Sequence, residues 1–587
     1  MIGRCCGIYR SITSLFFINI MKRRSFIKTA TAGCLLGAVT PSCMVSSEKE
    51  LETRGIRYIA PQLEEKYKQQ YTGKTAFKDK PLPTGKNILF ITSDQHHYMC
   101  MGYNDPKIKT PNLDRLAKMG IIFDRSYCPN PTSTPTRASM ITGKYASQHG
   151  AWSLGMKLSE KELTIGDCFQ QAGYRTALIG KAHFQPLEGT EEYPSCEAYP
   201  ILQDLDFWRK FNGPFYGFEH IELCRNHTDE AHVGQHYAIW MEENGAVNWR
   251  DWFRKPTGNS PVQQYVWNIP EKYHYDNWIT ERTNAMLEQY KKNNEHFFLW
   301  ASFFDPHPSY LVPEPWASMY KPEDMDVPEF TSGEFDDKPL HFALTQQSSP
   351  DFSYLNEDGD ERPHWVHGAH SHLQNREKMA KNMAIYFGMI SMLDHYIGKI
   401  LDKLEELDLV KDTVIVFTTD HGHFYGQHGL TAKAIHHYED LVRIPWIVAT
   451  PDCKKPGTRS EAMQSSVDLA KTFLSLAGLE QPMTMTGIDQ SKVWNGEIEN
   501  VRNHVLVENH FQPTKFYAKS YIDARYKLTI YMNQTYGELF DLEKDPKELV
   551  NLWDHPEVQQ LKMELMLKML HAELQKEPLC MPRIAVA

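Results

Sequence analysis

A hydroxyl, a proline and an arginine at fixed spacing make the densest chemical signal in this chain. The string is Ser133-Thr134-Pro135-Thr136-Arg137, running on through Met140 to Thr142-Gly143. Asn130-Pro131-Thr132 forms a turn before Ser133, and Ala138 to Ile141 reads as helix. A helix start presents unpaired N–H groups and a positive dipole end to whatever Ser133 holds, which favours an anion. Arg137 lies one turn further on, so its guanidinium can reach back toward the same place. Asp94-Gln95 and Asp420-His421 offer two carboxylates, an amide oxygen and an imidazole, an adequate ligand set for a divalent cation. Gly180-Lys181-Ala182-His183 brings a fixed charge and a titratable group; in an extended chain Lys181 and His183 face the same side. His307 stands between two prolines, and Lys433 follows Gly426-Gln427-His428-Gly429. Each of these alone also describes a capping, core or surface residue. Two carboxylate-led pairs on either side of one S-x-P-x-R serine describe a site.

The elements that must position these groups follow from the apolar pattern. Asn87 to Asp94 and Thr413 to Asp420 are short apolar runs that each end in a carboxylate, the pattern of buried parallel strands with polar residues at their C-terminal ends. Ligands of open α/β sheets bind at that edge. Tyr174 to Gly180 and His296 to Phe304 read as further strands. Thr110-Pro111 opens a helix with a capping threonine and proline at its first position. Met383, Phe387, Ile390, Leu393, Ile397, Leu401 and Leu404 mark a long amphipathic helix between Met379 and Leu407. Strands alternating with helices predict an α/β fold, a large and mainly parallel sheet sandwiched by helices. After Asn495, three short antiparallel strands (Tyr517–Ile522, Tyr526–Tyr531, Gly537–Leu542) and a helix from Pro556 to Leu574 predict a smaller C-terminal α+β subdomain. The irregular stretch from Glu323 to Arg376, with His364, His367, His370 and His372, reads as a rim loop, because its spacing matches no zinc pattern.

A chain of 587 residues is too long for one small core. A net charge of -11 gives no general attraction for nucleic acid or anionic lipid. Eleven cysteines without a C-x-x-C pair argue against structural zinc, and most read as buried thiols. Lys22-Arg23-Arg24-Ser25-Phe26-Ile27-Lys28 before the apolar Ala30–Val39 resembles a twin-arginine export signal, which implies export to the periplasm, with Met1 and Met21 both open as the start. Cys43 could carry a lipid, although Thr40-Pro41-Ser42 is a poor lipobox. Beyond the signal no apolar run approaches ~20 residues, so no transmembrane segment is expected. The divisions are 1–43 signal, 44–83 charged extension, 84–497 catalytic α/β domain and 498–587 C-terminal subdomain.

Taken in order, these residues resemble the sulfatase family of the alkaline phosphatase superfamily, from about Asn87 to Trp553, including Gly537-Glu538-Leu539-Phe540-Asp541-Leu542 near the end. The resemblance implies that Ser133 is oxidised by a maturase to formylglycine, whose hydrate is the nucleophile. It implies a divalent metal on Asp94, Gln95, Asp420, His421 and residue 133, with Arg137 steadying the nucleophile and Lys181 and Lys433 on the sulfate oxygens. His307 would then protonate the departing sugar oxygen, and His183 would take a proton from the second hydroxyl, so that the hemiacetal sulfate collapses to the aldehyde and releases sulfate. Gln95 stands where Asp is frequent and His421 where Asn is frequent. Three oxygen donors of four still favour calcium, with manganese the alternative. A serine rather than a cysteine implies oxygen-independent maturation in the cytosol, which suits a signal that exports folded protein. The expected substrate is a sulfated saccharide, with glycosaminoglycan fragments as one candidate, a preference that rests on the signal and on Trp240, Trp249, Trp252 and Trp365 read as exposed aromatics. The alternatives are a metal-dependent phosphodiester or phosphonate hydrolase with unmodified Ser133, and a non-catalytic glycan-binding protein.

Overall fold

The computed structural model describes residues 85–227, 230–254, 266–357, 375–433, 435–511, 514–578 and 580–581. The signal, the extension, Trp365 and the His364–His372 tract lie outside them. Eight strands form one sheet. In chain order the elements that matter are β1 (Asn87–Ser93), α1 (Pro111–Met119), β2 (Ile121–Phe123), α2 (Ser133–Thr142), β3 (Arg175–Gly180), β4 (His220–Leu223), α3 (Tyr275–Asn293), β5 (Phe297–Ser302), α4 (Arg376–Glu406), β6 (Thr413–Thr419), β7 (Trp446–Ala449) and β8 (Thr458–Ser460). The spatial order is β8-β2-β7-β6-β1-β5-β3-β4. All neighbours run parallel except β7, which is antiparallel to both β6 and β2. β1 and β6 are buried along their whole length, as expected of central strands covered on both faces.

The long helix α4 buries Met383, Phe387, Ile390, Leu393, Ile397, Leu401 and Leu404, the stripe that its three- and four-residue steps predict. It packs with α1, and the contact changes how α1 begins. Pro111 takes the first helical position, but Thr110 makes no side-chain cap. Thr110 Oγ1 accepts instead from Gly102 N at 2.7 Å. The exposed N–H groups of Asn112 and Leu113 are taken by the carboxylate of Asp394 on α4, at 3.1 and 2.7 Å. A tertiary acceptor therefore replaces the local cap, and burial lifts the Asp394 pKa to about 6.

The C-terminal region is a four-stranded antiparallel meander, β9 (His504–Phe511), β10 (Phe516–Asp523), β11 (Tyr526–Tyr531) and β12 (Gly537–Asp541), followed by α5 (Gln559–Gln575). β9 is the strand that sequence patterning did not reveal: Val505-Leu506-Val507 is a short apolar run without alternation. It matters for position, because Glu508 N donates to Pro129 O at 2.8 Å and Asn130 Nδ2 donates to Glu508 O at 2.5 Å, just ahead of Ser133. The Glu508 carboxylate takes Ser147 N and the ammoniums of Lys519 and Lys576. Among the described residues every cysteine is a free thiol, four of them buried, and no helix is long and apolar enough to cross a membrane.

Candidate active site

Because β1 and β6 are parallel neighbours with Ser93 opposite Thr419, the residues that follow them, Asp94 and Asp420, emerge side by side. Each side chain is completely buried. Gln95 N and His421 N both donate to Asp420 Oδ1, at 3.1 and 3.0 Å, which locks the two strand ends together. Gln95 adopts φ +57°, a left-handed turn that swings its side chain back into the site.

Helix α2 opens at Ser133 with Thr132 before it, so Ser133 and Arg137 occupy one face a turn apart. Arg137 is fully buried and spends its fork on this corner. Nε donates to Asp420 Oδ2 and Nη2 to Asp94 Oδ2, both at 3.0 Å, while Nη1 reaches Ser302 Oγ at 2.8 Å and Lys181 O at 3.0 Å. The guanidinium thus clamps the two carboxylates together. Lys181 Nζ adds a contact to Asp94 Oδ2 at 2.5 Å. Burial pushes the Asp94 carboxyl up, but Lys181, His307, Arg137 and Lys433 outweigh it and hold the group well below the usual carboxylate range.

Ser133 Oγ lies 3.0 Å from His421 Nε2. His421 Nδ1 pairs with Gly422 O at 3.0 Å, so Nδ1 carries the proton and Nε2 presents its lone pair. Lys433, carried just past the short hairpin Phe424–Tyr425/Thr431–Ala432, places Nζ 3.2 Å from both His421 Nε2 and His307 Nε2. Burial, with Lys181 and Arg137 nearby, brings the Lys433 ammonium down to about 8. Burial and Lys433 together hold His307 well below its ordinary value.

His183 departs from expectation. Lys181 and His183 do not lie along an extended strand, because Gly180 and His183 have φ of +107° and +59°. The chain curls around the buried carboxylate of Glu197, which accepts the N–H groups of His183, Phe184 and Gln185 at 3.1, 2.9 and 3.2 Å. His183 still comes near the same charges: burial first, then Arg225, Lys181 and Arg137, keep its pKa well below normal. Trp240 and Trp249 are buried and Trp252 stacks on Tyr273 at 5.2 Å, so none of these three forms the exposed platform expected of it.

A cation fits the corner. Asp94 Oδ1 and Gln95 Oε1 are buried without a hydrogen-bond partner. Single ligand atoms from Asp94, Asp420 and His421 lie within 4.8 Å of one another. Unpaired buried oxygens of this kind are costly unless an ion or water meets them. His423 supplies the orientation that sequence reading missed. Its Nδ1 accepts from Gln95 Nε2 at 2.9 Å, and its Nε2 meets Tyr310 Oη at 3.0 Å, which fixes the Gln95 amide with Oε1 left unpartnered. The hint in the sequence was the spacing Asp420-His421-Gly422-His423.

The sulfatase family model matches residues 86–479, two-thirds of the chain. The chain belongs to the sulfatase family. A second model, the C-terminal region of N-sulphoglucosamine sulphohydrolase, matches 426–576. An arylsulfatase of Clostridium perfringens is 27% identical over 504 residues, covering 83% of this chain and 94% of that one. An N-acetylglucosamine-6-O-sulfatase of Bacteroides thetaiotaomicron is 27% identical over 524 residues, covering 84% and 86%. Among solved structures, a phosphonate monoester hydrolase from Silicibacter pomeroyi shares the fold with a TM-score of 0.68 at 22% identity, covering 86% of this chain and 98% of that one. This sulfatase is therefore a sulfuric ester hydrolase.

Proposed function

We propose that this sulfatase removes sulfate from a sulfated carbohydrate, using Ser133 after its oxidation to formylglycine and a divalent cation on Asp94, Gln95, Asp420 and His421. The observation that carries the reading is the pair of unpartnered buried oxygens, Asp94 Oδ1 and Gln95 Oε1, in a corner whose third group, His421, has Nε2 3.0 Å from Ser133 Oγ. The aldehyde would supply a nucleophile at residue 133, and calcium (or manganese) would lower its pKa and offset sulfate charge. Three cations, Arg137, Lys181 and Lys433, face two carboxylates here, so the protein groups alone already favour an anion. Arg137 holds Asp94 and Asp420 in register. Lys181 and Lys433 take the sulfate oxygens. Burial first and Lys433 second depress His307; an anion between the cations offsets the Lys433 part, which favours the proton on Nε2 that a sugar alkoxide needs to depart. His183, kept neutral by burial, accepts a proton at the far end of the reaction.

The N-terminal Arg-Arg segment supports export to the periplasm after maturation in the cytosol, and the N-acetylglucosamine-6-O-sulfatase relative supports a carbohydrate substrate. Mass spectrometry of the Ser133 peptide from protein made beside an anaerobic maturase should give a mass about 2 Da below the encoded one, two hydrogens lost on oxidation. An unmodified peptide in fully active enzyme would overturn the formylglycine mechanism. A phosphonate monoester belongs in the same substrate panel: turnover of it alone, with unmodified Ser133, would select the phosphohydrolase reading.

A further inference from the structure

The segment after β4 carries a cation that the mechanism above does not use. Cys224 N donates to Gly180 O at 3.1 Å, next to Lys181, and His227 Nε2 meets His307 O at 3.2 Å. Arg225 therefore lies on a strip of backbone strung between two walls of the active site. Its side chain is only 7% exposed. Nε sits 3.1 Å from Glu197 Oε2, the same carboxylate that shapes the His183 turn. The ion pair lacks hydrogen-bond geometry: among the described residues Nε is a buried donor without a hydrogen-bond partner. A buried guanidinium with a donor unmet and a single carboxylate beside it is an expensive arrangement, and planar bidentate recognition of carboxylate or sulfate is what a guanidinium does best. The scissile sulfate already has Lys181 and Lys433.

We propose that Arg225 forms an anion-binding subsite for a second negative group on the saccharide, a carboxylate or a further sulfate, adjacent to the ester being cleaved. The inference rests on the sulfatase reading for the orientation of the substrate. Glu197 is the positioning residue: its carboxylate pairs with the guanidinium on the Nε side and accepts the N–H groups of 183–185, which ties Arg225 to the His183 turn. Recognition of this kind selects doubly charged units, because a neutral sugar would leave the fork unpaired.

The test uses the full chain carrying Ser133→Ala, so that ligands persist, and calorimetric Kd values for three saccharides of one skeleton: monosulfated, disulfated, and monosulfated with a carboxylate. We expect a doubly anionic ligand to bind roughly 10–100-fold tighter than the monosulfated one, the range for a charge-assisted pair. Adding Arg225→Gln should erase that preference, and Arg225→Lys, which keeps charge without the fork, should restore part of it. Whether the carboxylate or the second sulfate gains more identifies the group. Equal affinities in the Ser133→Ala protein, or a preference that survives Arg225→Gln, would overturn the subsite. An equal loss for all three ligands would make Arg225 a structural prop for Glu197 instead. Failure of unsubstituted enzyme to hydrolyse any sulfate ester would be a separate result, against the reading of the reaction and not of the subsite.

Discussion

Arg137 separates two accounts of the same residue. The family resemblance gives it to the nucleophile, whereas the structure commits its donors to Asp94, Asp420, Ser302 and Lys181. Replacing it with methionine keeps apolar bulk in a fully buried position and leaves two carboxylates side by side. Removing one partner of a buried ion pair costs about 3–5 kcal/mol. Roughly 500 cooperative residues at about 2.1 cal/mol/K each give an unfolding entropy near 1 kcal/mol/K, so that cost lowers Tm by about 3–5 °C. A bound divalent cation supplies the same neutralisation, so the shift should be full in chelator and should shrink when calcium is added. The assay is a pair of calorimetric scans of Arg137→Met against the parent, with and without metal, alongside kcat on a sugar sulfate. Tm unchanged in chelator while kcat collapses would refute the clamp and return Arg137 to the nucleophile. A Tm loss indifferent to calcium would refute the link between the clamp and the metal ligands.

The other expectations can be checked together. Asp420→Ala should lose bound metal and activity at once, with elemental analysis as the readout, because it removes a ligand and a clamp partner in one step. His423→Ala frees the Gln95 amide and should weaken metal affinity by about 10–100-fold, measured by competition with a chromophoric chelator, while an unchanged affinity would exclude the orienting role. His307→Ala should slow a sugar sulfate by about 10²–10⁴-fold and an activated aryl sulfate far less; equal slowing would remove it from the acid role. Burial pushes the Glu508 carboxyl up, but Lys576 and Lys519 outweigh it and bring it down to about 2. A lowered folded pKa means that its stabilisation is complete above about 4.5 and is lost as pH falls toward 2, so a pH–stability curve of Glu508→Gln should be flatter than the parent across that window.

The sequence alone determined what is local. Apolar runs ending in Asp94 and Asp420, the amphipathic stripe of α4 and the order of Ser133, Arg137, Lys181, His307 and Lys433 were legible because burial on both faces, helical periodicity and strand-end chemistry act over a few residues. Tertiary structure decided everything that depends on which distant segments meet. That β1 lies against β6, so that two carboxylates 326 positions apart become neighbours, is a matter of strand order, which no local pattern encodes. Thr110 looked like the cap of α1, yet Asp394 is the acceptor, because α4 packs across that helix start. His183 looked extended, yet the buried Glu197 carboxylate bends the chain into a positive φ. Trp240 and Trp249 looked available to a sugar, yet both are buried, since an aromatic ring buries more apolar surface than any contact with solvent can offset. Arg225 and His423 gave no strong signal in one dimension for the same reason. Their roles are set by partners 28 positions back and more than 300 positions away, and only the folded chain brings those partners within a hydrogen bond or an ion pair.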